Sequence, residues 1–442
     1  MSTTPAATMP PAEAAPGWRW APAWVIAFVA LWPAPGYAES VLVLGALAGL
    51  VKLLGSRFRG GSALLSGPAW ALTSVLFAAY WLPQLLSAPD ALDRGRALQE
   101  ALIDLRYLPF LWVVASAVAN VEGRRRTFGG LALIVAVWTL DALLEAGTGT
   151  SPLFWLLDQA KHAISGHGMC TADEVAAADR LGGILGPCNL KLGVVLASLS
   201  PFALDAAQRR AGRAGWLAMA AALGIAIMLA GSRASWLTYG LVLAWAGWRL
   251  LGWKTMLALL ATGVLTLGLA ALVSPSLGDR LERSAAVFAG DAEGVDQALT
   301  GRTRIWSAAV CMVRWHPVNG VGARGFREAF PACDPAPGEI AVWGTGVALH
   351  AHQIVLEVLS ETGALGLLLW LAGAALAWRA WRYATPQARD DAHPAMLALA
   401  VTVFPLNTHL AAYSTFWGSV LLLLAALYAG SLWGREGATA QP

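Results

Sequence analysis

Two histidines near the end of a long polar segment are the first candidates for chemistry. The segment covers residues 274–361, and His350 and His352 lie just before a hydrophobic run. A neutral imidazole can accept a proton at neutral pH, so either side chain can serve as a general base. Interfacial packing and a metal pair are the alternatives. A metal site needs further ligands, and the sequence does not fix the geometry of Asp334 and Glu339 in the same segment.

Basic side chains accompany the two histidines. The forked guanidinium group matches the oxygen atoms of a phosphate, so clustered arginines predict an anionic ligand. Arg302 opens a predicted helix, where free N–H groups and the helix dipole also favour an anion. Arg324 lies in a glycine-rich turn that lets backbone approach a ligand but lacks the lysine of a nucleotide-binding P-loop. Arg233 lies at the mouth of a predicted helical bundle, where an arginine is costly unless it is paired or functional.

A diphosphate is the anion that suits this inventory best. It presents several oxygens to forked donors, and as a leaving group it needs its developing charge neutralised. For any single arginine, snorkelling or a structural ion pair is an equal alternative, but several segments supply basic residues to one predicted face. The predicted ligand contacts are Arg106, Arg180, Lys191, Arg233, Arg302, Arg304, Arg324 and His350.

Acidic residues give no sign of a metal cofactor. Many enzymes that act on diphosphates use Mg²⁺ to neutralise the leaving group. The predicted exterior segments contain no Asp-x-Asp pair, and Asp173, Glu174 and Asp334 have no obvious partners in the sequence. We therefore expect a reaction without metal or other cofactor, in which arginine takes the place of the metal.

The four cysteines fall into two exterior segments. Cys170 and Cys188 belong to one, and Cys311 and Cys333 belong to the other. In an oxidising compartment this distribution favours two disulfides within the segments, although three connectivities are possible and free buried thiols are the alternative. The spacing contains neither Cys-x-x-Cys nor His-x-x-x-His, which argues against zinc.

The elements that must position these residues are membrane helices. The chain has 442 residues, of which 57% are hydrophobic and 13% are charged, whereas a soluble domain has about 25% charged residues. The sequence predicts an all-α integral membrane protein with about twelve spans, since each apolar run can cross about 30 Å of hydrocarbon. The predicted spans are 21–37, 40–55, 64–86, 106–121, 128–146, 189–206, 214–231, 234–250, 255–273, 353–377, 394–412 and 415–433.

Short basic loops predict the orientation. Lysine and arginine collect after every second span, which places both termini in the cytoplasm by the positive-inside rule. The opposite face then receives segments 87–105 and 147–188 and the large loop 274–352, which is predicted to be mainly helical and to carry the active site. Segment 87–105 has the pattern of an amphipathic helix in the membrane interface. The predicted organisation is a disordered tail at 1–20 without a signal peptide, spans and loops at 21–273, the large loop at 274–352, spans at 353–433 and a tail at 434–442.

An ordered set of motifs resembles one family. Gly-Ser-Arg with a following Trp occupies 231–236, Gly-Arg-x-x-Ile-Trp occupies 301–306, and His-Pro-x-x-Gly-Val-Gly occupies 316–322. His-x-x-x-Leu and Glu-x-Gly-x-x-Gly follow at 352–366. In this order the motifs resemble the O-antigen ligase and polymerase superfamily, whose members are multi-span bacterial inner-membrane proteins with one large periplasmic loop late in the chain.

The resemblance implies a metal-independent, inverting glycosyltransferase that acts at the periplasmic face of the inner membrane. The donor would be a glycan on undecaprenyl diphosphate, and in a ligase the acceptor would be a sugar hydroxyl of lipid A–core oligosaccharide, which completes lipopolysaccharide. His352 would be the base, while Arg302 and Arg233 would hold the diphosphate. The family commonly has Asn after this histidine, whereas this chain has Gln353. His350 is the rival base.

Other functions stay open at this stage. A polymerase would add O-units to a lipid-linked chain, and we favour a ligase because of the compact size and the histidine-containing loop. Protein O-oligosaccharyltransferases rank last, since they tend to carry an extra C-terminal domain. A transporter of a lipid-linked anion would need charges at mid-depth, yet the predicted spans are nearly free of them, with His409 as the main exception. A purely structural scaffold would not need the Arg/His loop. No nucleic-acid partner is expected, and the oligomeric state is left open, with a monomer possible.

Overall fold

The protein is built from helices. The computed structural model describes residues 18–58, 64–176, 180–231, 233–273, 278–279, 281–282, 299, 301–341, 343, 346–407 and 411–434. No strand occurs in this part of the chain. Most of the predicted tails, His409 and residues 283–298 of the predicted large loop lie outside the described residues.

The helices follow one another with short connections. Their bounds are α1 Ala21–Ala30, α2 Pro35–Phe58, α3 Gly67–Ser87, α4 Arg94–Asp104, α5 Tyr107–Ala117, α6 Val121–Thr148, α7 Pro152–Ser165, α8 Ala172–Ala176, α9 Leu192–Leu229, α10 Arg233–Val273, α11 Arg302–Trp315, α12 Phe326–Cys333, α13 Ile354–Tyr383, α14 Pro386–Thr402 and α15 Thr415–Leu432. Two 3₁₀ turns, Ala88–Asp90 and Gly183–Leu185, complete the described elements.

Polar side chains set several helix starts. Ser66 accepts a hydrogen bond from the backbone N–H of Ala69 at the start of α3. Asn120, Thr385 and Ser414 make the equivalent contact at the starts of α6, α14 and α15. Each cap satisfies an N–H group that the helix itself leaves without an acceptor, so the sequence determines where these helices begin.

Six of the described helices are long and apolar enough to cross a membrane. They are α2, α3, α6, α9, α13 and α15. Non-helical backbone at Ala211–Gly212 divides α9, and non-helical backbone at Gly252 divides α10. Both breaks fall between pairs of predicted spans. The described part of the chain is thus all-helical and has helices suited to a membrane protein, while the total of twelve spans stays a prediction.

The two largest clusters of buried side chains in the described residues are separate from one another. The larger one joins most of the long helices and includes nearly all of α15. The smaller one lies between α11, α12 and the histidine segment, and its members include Ile305, Met312, Phe326, Ala348 and Ala351. The segment that carries His350 and His352 therefore packs, with α11 and α12, around a small core of its own.

Acidic groups near the end of α6 bind segment 147–188, which is predicted to lie on the exterior face. The Asp141 carboxylate accepts hydrogen bonds from the Ser151 hydroxyl at 2.7 Å and the Leu153 N–H at 2.9 Å. The Glu145 carboxylate accepts one from the Gly183 N–H at 2.6 Å. These contacts fold the segment back over the helix ends. Its cysteines, Cys170 and Cys188, form a disulfide.

Candidate active site

The two histidines lie against one another. The ring centroids of His350 and His352 are 3.9 Å apart, with an angle of 44° between the planes. The backbone of His352 is left-handed, with a φ of +53°, which is an uncommon conformation for a residue other than glycine. Ala351 between them is fully buried, and its carbonyl accepts a hydrogen bond from the Trp306 indole at 3.1 Å. The histidine loop is thus anchored to α11.

Arg302 lies on the side of α11 that faces this loop. It is the first residue of α11, after Gly301 with a φ of +74°. Residues four apart lie on the same side of a helix, so Arg302 and Trp306 face the same way. Since Trp306 bonds the backbone between the histidines, the Arg302 side of α11 faces the histidine loop. A disulfide between Cys311 and Cys333 joins α11 to α12.

The positive charges of three arginines from separate segments interact. The pKa of Arg302 is lowered to about 10, chiefly by burial, and then by the charges of Arg233 and Arg180. Arg233 begins α10, and Arg180 precedes the short 3₁₀ turn. At a pKa of about 10 the Arg302 guanidinium stays protonated at neutral pH, so like charges face one another here. A bound polyanion would offset their repulsion.

Lys191 is the residue before the first turn of α9. Its ammonium group lies 4.5 Å from the centre of the Phe416 ring, a cation–π distance. The neighbouring ends of α9 and α10 approach closely. A Cβ atom at Gly193 would lie 2.8 Å from the Ser235 hydroxyl oxygen. The small residue therefore permits the contact that brings α10, with Arg233, against α9.

Arg304 has a different environment from Arg302. Its Nε and Nη2 atoms donate to both carboxylate oxygens of Asp334, at 2.7 and 2.6 Å. Further bonds reach the carbonyls of Ala336 and Glu339. The Arg304 guanidinium lowers the pKa of Asp334 below its ordinary range, and the carboxylate in turn raises the pKa of Arg304. This geometry favours a structural role, in which Arg304 holds the turn after α12, over the predicted substrate contact.

The glycine-rich turn and the Glu-x-Gly-x-x-Gly motif form one interlocked unit. Backbone N–H groups of Val321 and Gly322 donate to carbonyls of Ser360 and Glu361, both at 2.9 Å. Gly363, with a φ of +68°, kinks α13, and a Cβ there would lie 2.1 Å from the Val318 carbonyl oxygen. Glycine is required at this position because a side chain would separate the two segments.

The Glu361 carboxylate also binds the backbone of the glycine-rich turn. Only 2% of Glu361 is exposed, and its Oε2 atom accepts a hydrogen bond from the Arg324 N–H at 2.7 Å. The Phe326 N–H donates to the same carboxylate. Arg324 has a φ of +60°, so Glu361 stabilises an uncommon backbone conformation at the turn.

The Arg324 side chain points to segment 87–105. Its guanidinium donates to Glu100 of α4 at 2.5 Å. Arg96 of α4 pairs with Glu328 of α12 at 2.5 Å, and the Leu92 N–H donates to the Val321 carbonyl at 3.1 Å. The predicted amphipathic helix therefore exists and docks on the glycine-rich turn. For Arg324, as for Arg304, the contacts favour a structural role over the predicted ligand contact.

Arg106 also has a carboxylate partner. It pairs with Glu39 at 2.6 Å. Nearby, Asp104 is buried and accepts a hydrogen bond from the Gln84 amide at 3.2 Å. Burial raises the pKa of Asp104 to about 6, against the opposing effects of the Gln84 hydrogen bond and the Arg106 charge. Arg106 thus lies in a network of acids at the base of α4, apart from the charges that act on Arg302.

Sequence reasoning overlooked two acids in α13. Glu357 is 2% exposed, and its carboxylate accepts a hydrogen bond from the Tyr413 N–H at 3.3 Å. In the sequence, Glu361 served only as the first residue of the Glu-x-Gly-x-x-Gly motif. Both fall within predicted span 353–377, so the expectation of spans nearly free of charge is wrong there. The signal was present, since an acid inside an apolar run is costly and marks a structural or functional contact.

Gln353 caps the helix that follows the histidines. Its side-chain oxygen accepts a hydrogen bond from the Leu356 N–H at 2.5 Å, and its amide donates to the Pro405 carbonyl at 3.3 Å. The longer side chain therefore performs the capping that a shorter amide residue often provides. Within the described ranges, no group of three or more His, Cys, Asp or Glu residues could hold a metal ion.

Comparison with known protein families gives a match to part of the chain. Residues 213–371 match the family model described as O-antigen ligase. No curated protein matched the chain. The matched region includes Arg233, Arg302, the glycine-rich turn, both histidines and the kink of α13. It supports a glycosyltransferase-like enzyme with a ligase- or polymerase-type function in the O-antigen pathway. The match over residues 213–371 supports the resemblance of this region to the O-antigen ligase and polymerase superfamily.

Proposed function

We propose that the protein is an O-antigen ligase of the bacterial inner membrane. It would move a glycan from undecaprenyl diphosphate to a sugar hydroxyl of lipid A–core oligosaccharide at the periplasmic face. The observation that carries the proposal is that Arg302, on which the charges of Arg233 and Arg180 act, lies on the helix that bonds the backbone between two contacting histidines. Three cations suit a diphosphate, and an imidazole suits the removal of a hydroxyl proton.

The reaction would be a direct displacement at the anomeric carbon. His352 accepts the proton of the acceptor hydroxyl, whose oxygen forms a bond to the anomeric carbon. The bond from that carbon to the diphosphate oxygen breaks, and its electron pair leaves with undecaprenyl diphosphate. The configuration inverts because attack and departure occur on opposite sides.

The arginines would stabilise the leaving group. Negative charge grows on the bridging oxygen of the diphosphate as the bond breaks, so cations aimed there lower the barrier. Arg302, Arg233 and Arg180 supply this charge, and Lys191 lies at the start of α9 nearby. No metal ion is required in this scheme, since fixed cations neutralise the same charge.

The membrane helices would hold both lipid-linked substrates. Hydrophobic surfaces flanking the bundle suit the polyprenyl chain and the acyl chains of lipid A, so the two reacting groups meet in a restricted layer. Such alignment supplies a large part of the rate in a two-substrate reaction. A polymerase that extends lipid-linked O-units would use the same site, and the identity of the acceptor is what separates the two functions.

Complementation in two bacterial hosts tests the proposal. One host lacks its O-antigen ligase and the other lacks its O-antigen polymerase, and both make an undecaprenyl-linked O-unit. We expect wild-type protein to restore the high-molecular-weight lipopolysaccharide ladder in the first host, and His352→Ala at matched expression to leave it absent. Chain lengthening in the second host alone would replace the ligase with the polymerase.

A further inference from the structure

The histidine pair suggests a role for its second member. We propose that His350 is a positioning residue, whose ring packs against His352 and holds that ring in the orientation for proton transfer. What the held ring does rests on the proposed function, whereas the packing of the two rings does not. His350 itself takes no proton from the acceptor in this scheme.

The two rings are in direct contact, and the backbone between them is not extended. Residues i and i+2 of an extended segment share a face but lie about 6.5 Å apart along the chain. The centroids of His350 and His352 lie 3.9 Å apart. The left-handed backbone of His352 is where the chain departs from an extended path. A strained conformation of this kind persists only where the surroundings enforce it, and such sites collect at functional centres.

The backbone around the pair is fixed on both sides. Ala348 and Ala351 are buried in the small core, and the Ala351 carbonyl accepts the Trp306 hydrogen bond. After His352, Gln353 begins α13 as its N-cap. With the main chain held, the remaining freedom of His352 lies in its side-chain torsions.

Side-chain freedom is what a neighbouring ring can limit. The second torsion of histidine is broad, so the backbone alone does not set the direction of the ring nitrogens. A general base must reach the hydroxyl proton within hydrogen-bonding distance. Misplacement by about 1 Å can cost about 100-fold in rate. The plane of His350 removes a range of His352 orientations, and a phenyl ring at position 350 would do the same without a nitrogen.

Chemical labelling tests the packing without any assay of transfer. Purified full-length protein in detergent is treated with diethyl pyrocarbonate, and the modification rate of His352 is followed by peptide mass spectrometry. We expect His350→Ala to raise this rate at least about threefold and His350→Phe to keep it near the wild-type value. Leu349→Ala is the matched control, because Leu349 is an exposed neighbour. An unchanged rate in His350→Ala would overturn the packing role.

Steady-state transfer kinetics test what the packing does. We expect His350→Ala to lower kcat by about 10- to 100-fold, with KM for the lipid-linked donor within about twofold, and His350→Phe to recover most of kcat. Equal losses in both variants would overturn the positioning role, since they would show that a nitrogen is needed. If the wild type transferred no glycan, the proposed function would fail, and the labelling would still decide the packing.

Discussion

Two sets of arginines with the same predicted role have opposite surroundings. Arg302 is half-buried, and its pKa is lowered first by desolvation and then by the charges of Arg233 and Arg180. Arg304 and Arg324 instead donate to carboxylates, at 2.6 Å to Asp334 and 2.5 Å to Glu100. The first set brings like charges together, whereas each arginine of the second set is paired with a carboxylate that joins two segments of the loop region. The difference shows that the electrostatic surroundings of an arginine depend on its position in the tertiary structure and not on its residue type.

The largest effect should follow from removing Arg302. We expect Arg302→Ala to lower kcat for glycan transfer by about 100- to 1000-fold, as loss of one stabilising donor does in other enzymes. The thermal unfolding midpoint should stay level or rise, because the variant relieves repulsion with Arg233 and Arg180. Arg314→Ala, an exposed arginine of the same helix, is the control. A fully active Arg302→Ala would break the distinction between the two sets.

The disulfide between α11 and α12 should have the next largest effect. Cys311 and Cys333 are 22 residues apart, and closing such a loop stabilises the folded state by about 3 kcal/mol. We expect the Cys311→Ser/Cys333→Ser variant to unfold at a lower temperature and to lose transfer activity, because α11 carries Arg302. The Cys170→Ser/Cys188→Ser variant is the comparison, and an equal loss of activity there would contradict a special role for α11.

Substitution of Glu361 tests whether its carboxylate stabilises the backbone at Arg324. Glu361→Ala leaves the N–H groups of Arg324 and Phe326 without their acceptor, which should lower the free energy of unfolding by about 2 kcal/mol. Glu361→Gln keeps one acceptor oxygen and should lose less. Denaturation of the purified protein measures both. Wild-type stability in both variants would mean that the interlocked turn does not depend on this carboxylate.

The smallest effect concerns Arg304 and Asp334. A double-mutant cycle with Arg304→Ala and Asp334→Ala should give a coupling of about 1 kcal/mol in unfolding free energy, with kcat within about threefold of wild type. Because Arg304 lowers the pKa of Asp334, this stabilisation should be present above the ordinary aspartate pKa of about 3.9 and disappear as the pH falls below it. If Arg304→Ala lowered kcat as much as Arg302→Ala, the two sets of arginines would not differ in function.

Local sequence signals specified much of the scaffold. Apolar runs predicted the long helices. The caps at Ser66, Asn120, Thr385 and Ser414 were not predicted, although each of these residue types can accept an N–H bond. The motif order predicted the superfamily. Each cysteine pair was expected within its own segment, and the structure joins Cys170 to Cys188 and Cys311 to Cys333.

The partners of charged residues could not be predicted in the same way. Arg302 and Arg304 are two positions apart in the sequence. The charges of two other arginines lower the pKa of Arg302, whereas Arg304 donates a hydrogen bond to Asp334, which is 30 residues away. The acids that hold Arg324 come from α4 and α13, far away in sequence.

Composition and apolar runs are local properties, so the chain alone predicted a helical membrane protein and its candidate chemistry. Only the packing of remote segments decided that the charges of Arg233 and Arg180 act on Arg302, and that Asp334 and Glu100 pair with Arg304 and Arg324. The reason is that Coulomb interactions and hydrogen bonds depend on distances in space, and those distances are set when remote segments meet.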